Sequence, residues 1–280
     1  RYYYKDYYVK KKNGGMRQIS QPSPELKTLQ YWILNNILKK IPISKVAYAY
    51  NKGNSIKTHA LIHCSSNYVL HSDICDFFPS IHLAHLSPIL KDSKQVFDDL
   101  GINELDTSIS QIGMICFRND SLCIGAVSSP AISNIVMTSF DEELYTYCRE
   151  HNYIYSRYAD DIYISSKNYM DKGILTKIRI VLGKNGFRIN MKKTKFFSPK
   201  YRRMITGIIL TNDSKISVGT SRRNEIKKMV YDKLVHGNGD SDQILGYLAF
   251  LKDIEPQTYN NIIIKFTRYC SGDVIAELCK

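Results

Sequence analysis

Residues 158–161 read Tyr-Ala-Asp-Asp between two apolar, β-prone runs, Tyr153-Ile154-Tyr155 and Ile162-Tyr163-Ile164. The pattern predicts a hairpin with two adjacent carboxylates at its tip. Such a pair repels itself, and Arg157 is the one cation close in sequence that could neutralise it. A divalent metal ion would do the same. Ser72-Asp73-Ile74-Cys75-Asp76-Phe77-Phe78 carries a further acid at the end of another strand-like stretch, Tyr68-Val69-Leu70. Three carboxylates converging from separate strands (Asp73, Asp160 and Asp161) suit phosphoryl transfer on two Mg²⁺ ions about 3.5–4 Å apart. One ion would lower the pKa of the attacking hydroxyl; the other would hold a triphosphate and the leaving pyrophosphate. Asp73 and Asp160 are the expected bridging ligands, with Asp161 at the periphery and the Ile74 carbonyl as a further oxygen donor. The chemistry points to a nucleic-acid polymerase.

The elements that must position these groups can be read along the chain. Residues 1–20 read as a β-hairpin: Tyr7-Tyr8-Val9 leads into Lys10-Lys11-Lys12, Asn13-Gly14-Gly15 supplies the turn, and Met16-Arg17-Gln18-Ile19 returns. An amphipathic helix is expected over 24–40, capped by Ser23 or Pro24, with Leu26, Leu29, Ile33, Ile37 and Leu38 as its apolar stripe and Trp32 beside it. A helix over 54–63 precedes the acid-bearing strand at 68–74. Residues 84–112 read as helical. A Gly-Ala-Val-Ser-Ser-Pro turn at 125–130 opens a long helix to about 151. After the Asp-Asp hairpin at 153–166, a helix near 170–185 leads to strands around 187–189, 195–197 and 204–210. From about 219 the pattern is helical and basic.

At 280 residues the chain can bury a sizeable core, and its 44% hydrophobic content is ordinary. Its net charge of +13 is not, and attraction to a polyanion is the functional reading, solubility the bland one. The 21 tyrosines add surfaces that can stack on bases, although most tyrosines simply pack. Seven cysteines with no Cys-x-x-Cys pair argue against a disulfide framework or a zinc ribbon and suit a reducing, cytoplasmic setting. No apolar run reaches membrane-spanning length, so no membrane partner is expected. The chain begins at Arg1 rather than Met, which implies a preceding segment. His59 and His63 stand four apart, as do ligands on a helix, but no third ligand is evident. His82 and His85 pose the same question. A core or RNA-contacting role is expected for each, and no structural zinc.

At the blocks around the acids the chain resembles the reverse transcriptases, and among them those of bacterial retrons. Arg17-Gln18-Ile19 with Gln21-Pro22-Ser23, followed by Leu26-Lys27-x-Leu-Gln30-x-Trp32, resembles the first fingers block. Asp73-Ile74-Cys75-Asp76-Phe77-Phe78-Pro79-Ser80-Ile81 resembles the first catalytic block. Gly125-Ala126-Val127-Ser128-Ser129-Pro130 with Ser133-Asn134 resembles the template-positioning block. Arg157-Tyr158-Ala159-Asp160-Asp161 resembles the second catalytic block, and Gly186-Phe187-x-Ile189-Asn190-x-x-Lys193-Thr194 the block after it. The likeness covers roughly 10–250. His59-Ala60-Leu61-Ile62-His63 resembles the retron Asn-Ala-x-x-His element with His in place of Asn, and Ile205-Thr206-Gly207 its Val-Thr-Gly element. The family's Pro-Gln-Gly-Ala-Pro reads Cys123-Ile124-Gly125-Ala126-Val127 here, so Ile124 takes no polar role while the backbone at Gly125 still can.

The resemblance implies an α/β (α+β) right-hand polymerase: residues 1–67 fingers with the start of the palm, 68–210 palm with a fingers insertion at about 84–122, and 211–280 a helical thumb. It implies RNA-directed DNA synthesis from deoxynucleoside triphosphates with two Mg²⁺ ions. The template would be a cognate non-coding RNA, primed from one of its own 2′-hydroxyls, and the product branched multicopy single-stranded DNA. An effector protein acting with it against phage is part of the same expectation. Arg17, assisted by a lysine of the 10–12 run, would grip the triphosphate, in a nucleotide site with Asp76, Phe77, Phe78, Gly125 and Lys193. Phe78 would exclude a 2′-hydroxyl, its alternative being a core aromatic. Lys193 would protonate pyrophosphate, its alternative being a surface lysine. His63, Arg202, Arg203, Thr206, Gly207, Arg222, Arg223, Lys227 and Lys228 are the expected nucleic-acid contacts. A group II intron-like or diversity-generating reverse transcriptase and a non-catalytic RNA-binding scaffold are the competing readings.

Overall fold

The computed structural model describes residues 3–11, 14–270 and 272–279. Lys12 and Asn13 of the expected hairpin tip lie outside the described residues. Strand β1 (Tyr4–Lys10) pairs antiparallel with β2 (Met16–Pro22), from Tyr4 opposite Pro22 to Lys10 opposite Met16. Gly14 and Gly15 both take positive φ, +83° and +77°, which lets the chain reverse without a Cβ clash.

Helix α1 (Pro24–Asn36) starts where a capping side chain and a proline coincide. The Ser23 hydroxyl accepts the Leu26 N–H at 3.3 Å, and Pro24 occupies the first turn. The helix stops at Asn36, and Leu38–Lys40 is a separate 3₁₀ turn, so the expected single helix to 40 is shorter. Leu26, Gln30, Ile33 and Ile37 are buried, and their spacing follows one helical face. Leu29 lies off that face and is 51% exposed; the inward position belongs to Gln30, fully buried. Its amide is satisfied by the Ile115 carbonyl at 2.9 Å, the Tyr4 hydroxyl at 3.1 Å and the Val127 N–H at 3.1 Å.

The elements continue with α2 (Ile56–His63), β3 (Tyr68–Asp73), α3 (Leu83–Asp92), α4 (Lys94–Asp98), α5 (Leu105–Cys116), α6 (Ser129–Val136), α7 (Thr138–Glu150), β4 (Ile154–Tyr158), β5 (Asp161–Ser166), α8 (Gly173–Lys184) and β6 (Lys195–Phe197). The helical stretch expected over 84–112 is thus three helices. The long helix expected from 130 to 151 breaks at Met137, where the Thr138 hydroxyl donates to the Asn134 carbonyl at 3.2 Å, a back-bond that bends helices. The strand expected at 187–189 is reduced to one bridge, Ile189 with Ile74.

Contacts divide the chain into two units: residues 1–54, 70–164 and 170–196, and residues 55–69, 165–169 and 197–280. In the first, a four-stranded sheet has the order β4-β5-β3-β6. Leu70, Ile132, Phe140, Leu144, Ile162, Ile164, Ile178 and Leu182 pack into a core fully shielded from water. The second unit takes in residues 55–67 and 197–210, for which the resemblance implies fingers and palm. The reason is packing, because α2 lies against β7 (Arg203–Ile205) and β8 (Ile208–Leu210). With β9 (Ile216–Ser217) these form an antiparallel sheet, β7-β8-β9. Thr206 and Gly207, at φ +45° and +88°, make the tight turn that splits the expected 204–210 strand in two. Helices α9 (Thr220–His236), α10 (Ser241–Ile254), α11 (Pro256–Phe266) and α12 (Val274–Leu278) complete the unit.

Two residues expected to touch nucleic acid, His63 and Arg203, lie in this unit's interior instead. His63 is wholly buried, with Nδ1 at 2.7 Å from the Ser165 hydroxyl, and burial and then neighbouring His59 push its pKa down to about 3. It is a neutral core histidine. Arg203 is 2% exposed, its guanidinium engaged by the Ser66 carbonyl, the Thr211 carbonyl at 3.1 Å and Asn212 Oδ1 at 2.6 Å. Arg223 pairs with Glu255 at 2.8 Å and donates to the Ser217 hydroxyl at 2.8 Å, pinning the start of α9. The Thr206 hydroxyl lies 3.4 Å from His59 Nδ1. Arg202, Gly207, Arg222 and Lys228 are exposed and Lys227 half-buried; Arg222 lies over the Tyr247 ring at 5.0 Å and 3.5 Å from Glu225.

Candidate active site

Strand β3 buries Val69, Leu70, Ser72 and Asp73, residues from both of its faces, and ends in the acid. At its end the chain turns sharply: Asp76 takes φ +43°, and the Ser80 hydroxyl donates to the Asp76 carbonyl at 2.9 Å. The β4–β5 connection is the residue pair Ala159-Asp160, with Ala159 at φ +56°. One backbone bond joins the two acid-bearing loops, because the Ile74 N–H donates to the Asp160 carbonyl at 3.0 Å. The distant aspartates are therefore neighbours.

A third segment closes on them. The Arg188 carbonyl accepts from Cys75 N–H at 2.8 Å, and the Asn190 N–H donates to the Asp73 carbonyl at 2.7 Å. Asn190 Nδ2 then reaches Asp73 Oδ1 at 3.0 Å, while Lys193 Nζ reaches Asp73 Oδ2 at 2.7 Å. Both oxygens of this 4% exposed carboxylate are engaged. Asp161 turns elsewhere: its Oδ1 lies 2.7 Å from His71 Nε2, and the His71 ring stacks on Tyr163 at 4.8 Å.

Charge at the site is unevenly compensated. Burial, then Asp161 and Asp73, raise the Asp160 carboxyl from its ordinary 3.8 to about 6; Lys193 works the other way. Burial disfavours the Lys193 ammonium, but Asp73 more than offsets this and its pKa rises. Arg157 does not supply the missing charge. It is wholly buried and paired with Asp141 at 2.7 Å, which corrects its expected part as the neutraliser of the acid pair. Among the described residues no three His, Cys, Asp or Glu side chains are grouped to hold a metal ion as they stand.

Asp73 and Asp160, but not Asp161, open on a cleft of about 460 Å³, within the range of small-ligand sites. Other hollows on the chain match it in size, so its lining is what distinguishes it. Asp73, Ile74, Asp160, Asn190 and Lys193 form one wall. Arg17, with Lys11, Met16 and Gln18, comes from the β1–β2 hairpin, and Asp76, Phe77, Phe78 and Pro79 from the turn after β3. Phe77 is 4% exposed and chiefly a core ring; Phe78 is half-buried and Arg17 exposed. Gly125 sits behind Ile124, which lines the cleft. Its φ is +112°, and a Cβ there would meet the Ser20 carbonyl oxygen at 2.9 Å, so the loop and β2 touch backbone to backbone. The Ser20 N–H donates to the Ile124 carbonyl at 2.8 Å, holding them in register.

Sequence reasoning gave no role to Asn190, Tyr50 or His71. Asn190 stands in a quoted block, so a signal was present. Tyr50 lines the cleft with φ +61°, unusual for an aromatic residue, and nothing in its neighbours announces it. His71 is two residues from Asp73, but its partner is 90 positions away.

Residues 9–230 match the family model described as reverse transcriptase (RNA-dependent DNA polymerase). The retron Ec86 reverse transcriptase of Escherichia coli is 31% identical over 264 residues, covering 93% of this chain and 79% of that protein. The retron Ec83 enzyme of the same organism is 35% identical over 269 residues, covering 91% and 84%. Among solved structures, apo telomerase from Candida tropicalis superposes with a TM-score of 0.57 at 11% identity, over 98% of this chain and 61% of that one. The foamy viral protease-reverse transcriptase gives 0.50 at 18% identity, over 99% and 33%. At such identities the structural likeness speaks for fold alone, and that fold is the right-hand polymerase. The chain belongs to the reverse transcriptases, enzymes that synthesise DNA on an RNA template, and within them to the reverse transcriptases of retrons.

Proposed function

We propose that this polymerase copies a dedicated non-coding RNA from one of its own 2′-hydroxyls into branched multicopy single-stranded DNA, in the cytoplasm, as part of an anti-phage system with an effector protein. The observation that carries the catalytic part is the junction of the two acid-bearing loops through the Ile74 N–H and the Asp160 carbonyl, with Asp73, Asp160, Arg17 and Phe78 lining a single cleft. The retron-specific part rests on the relatives.

Two Mg²⁺ ions fit the residues present. The carboxylates of Asp73, Asp160 and Asp161 and the Ile74 carbonyl are hard oxygen donors, and the upward push on Asp160 marks negative charge lacking its complement. Bound magnesium would supply activation of the attacking hydroxyl and neutralisation of the phosphates. Arg17 binds the triphosphate of the incoming deoxynucleotide. Phe78 lies beneath the sugar and leaves no room for a 2′-hydroxyl. Asn190 orients the Asp73 carboxylate, and Lys193 holds a proton at Nζ for the departing pyrophosphate. The exposed cations Arg202, Arg222 and Lys228, with the half-buried Lys227, grip the RNA and the RNA–DNA duplex through phosphates.

The test is to express the protein with its native flanking RNA, purify the complex and treat the bound nucleic acid with RNase or DNase. A short DNA covalently joined to RNA is expected from the wild type and none from D160N/D161N. DNA that is never joined to RNA would favour an intron-like enzyme, and equal DNA from the double variant would favour a scaffold.

A further inference from the structure

Arg157 precedes the acid pair by three residues, yet its charge is spent away from the cleft. Arg157 and Asp141 are both 0% exposed. Nε and Nη2 of the arginine engage the two oxygens of Asp141 at 2.9 and 2.7 Å, a bidentate fork. The Tyr155 hydroxyl donates to the same carboxylate at 2.6 Å. That leaves Nη1, which donates at 2.9 Å to the Ala159 carbonyl, the peptide leading directly into Asp160. Ala159 itself stands at φ +56°, a conformation that an alanine leaves unless something holds it.

The backbone of Arg157 is held as firmly as its side chain. Its N–H donates to the Val46 carbonyl at 2.9 Å and its carbonyl accepts from the Tyr48 N–H at 2.8 Å. Asn134 Nδ2 fixes the Ala49 carbonyl of the same strap at 2.9 Å. On its far side the turn is joined to β3 through the Asp160 carbonyl.

We propose that Arg157, Asp141 and Tyr155 form a buried positioning unit for the acid turn: the Asp141-anchored guanidinium clamps the Ala159 carbonyl and so sets where the Asp160 carboxylate meets Asp73. This rests on the cleft being the polymerase site. The fork geometry matters, because lysine keeps the charge but has no planar second arm to reach Asp141 and Ala159 together. Replacing both charges by apolar groups of similar volume removes the clamp without stranding an ion, although the Tyr155 hydroxyl and the Ala159 carbonyl lose their partners.

The experiment compares wild type, R157K and R157M/D141L by thermal unfolding, by amide hydrogen exchange over residues 157–161, and by nucleotide incorporation on an RNA template annealed to a DNA primer with Mg²⁺. Both variants are expected to lose at least tenfold in kcat while KM for the deoxynucleotide stays within twofold, with faster exchange at the turn. The double variant should do so while still unfolding cooperatively at a somewhat lowered temperature, since two buried polar groups lose their partners; if it does not fold, R157K alone decides. A folded variant with wild-type kcat and unchanged exchange overturns the clamp. A wild-type protein inactive on the primed template would instead sink the polymerase reading, and the exchange data would still judge the clamp.

Discussion

Replacing Asp160 by Asn is expected to end polymerisation and, in the absence of metal, to stabilise the protein. The Asp160 carboxyl holds its proton up to about pH 6 when folded, against an ordinary 3.8. Between those values the folded state binds more protons than the unfolded one, so stability falls as pH rises through this window and stays at its lower level above it. A displacement of about two pH units, at about 1.4 kcal/mol each, is worth at most ~3 kcal/mol. Asp73 and Asp161 titrate against the same charge, which makes that figure a ceiling. Asparagine carries no charge to desolvate and keeps an oxygen for the local backbone donor. The assay is urea denaturation of wild type and D160N in EDTA at pH 7.5 and pH 4. D160N should be the more stable by ~1–3 kcal/mol at pH 7.5, and the gap should shrink to under ~1 kcal/mol at pH 4, where the wild-type carboxyl is protonated in the folded state and only about half ionised on unfolding. Magnesium should narrow the gap at pH 7.5 by binding the wild type preferentially. Equal stabilities at pH 7.5 in EDTA, or a gap indifferent to pH, would refute the idea that Asp160 carries uncompensated charge.

Phe78→Ala should reduce the preference for deoxy- over ribonucleotides by ~10–100-fold, read as the ratio of kcat/KM values; an unchanged ratio removes the proposed gate. Gly125→Ala puts a side chain at φ +112° and 2.9 Å from the Ser20 carbonyl oxygen, so a loss of about 1–3 kcal/mol is expected in urea denaturation. A raised KM for the nucleotide should accompany it, because Arg17 shares β2 with Ser20. Arg203→Ala should cost about 1–3 kcal/mol in stability by freeing buried acceptors, with little effect on the salt dependence of RNA binding. The Lys227→Ala, Lys228→Ala double variant should do the reverse, flattening the plot of log affinity against log salt by about 2.

Chemical identity and local form were legible in the chain. Tyr-Ala-Asp-Asp between β-prone runs pointed to an acid-tipped hairpin, since short apolar runs flanking a polar pair are properties of neighbours. Ser23-Pro24 announced a helix start, and Gly14-Gly15 a turn, for equally local reasons. Partner choice was not local. Whether Arg157 faces the acids or Asp141, whether Arg203 grips phosphate or the Ser66 carbonyl, and whether Gln30 or Leu29 points inward depend on what packs alongside. Those neighbours are as much as 137 residues away. A cation has the same composition in water or in a core, and only the dielectric and the acceptors around it decide its work. The meeting of Asp73 with Asp160 is of the same kind: the strands declare themselves separately, and their adjacency exists only once the Ile74 N–H finds the Asp160 carbonyl.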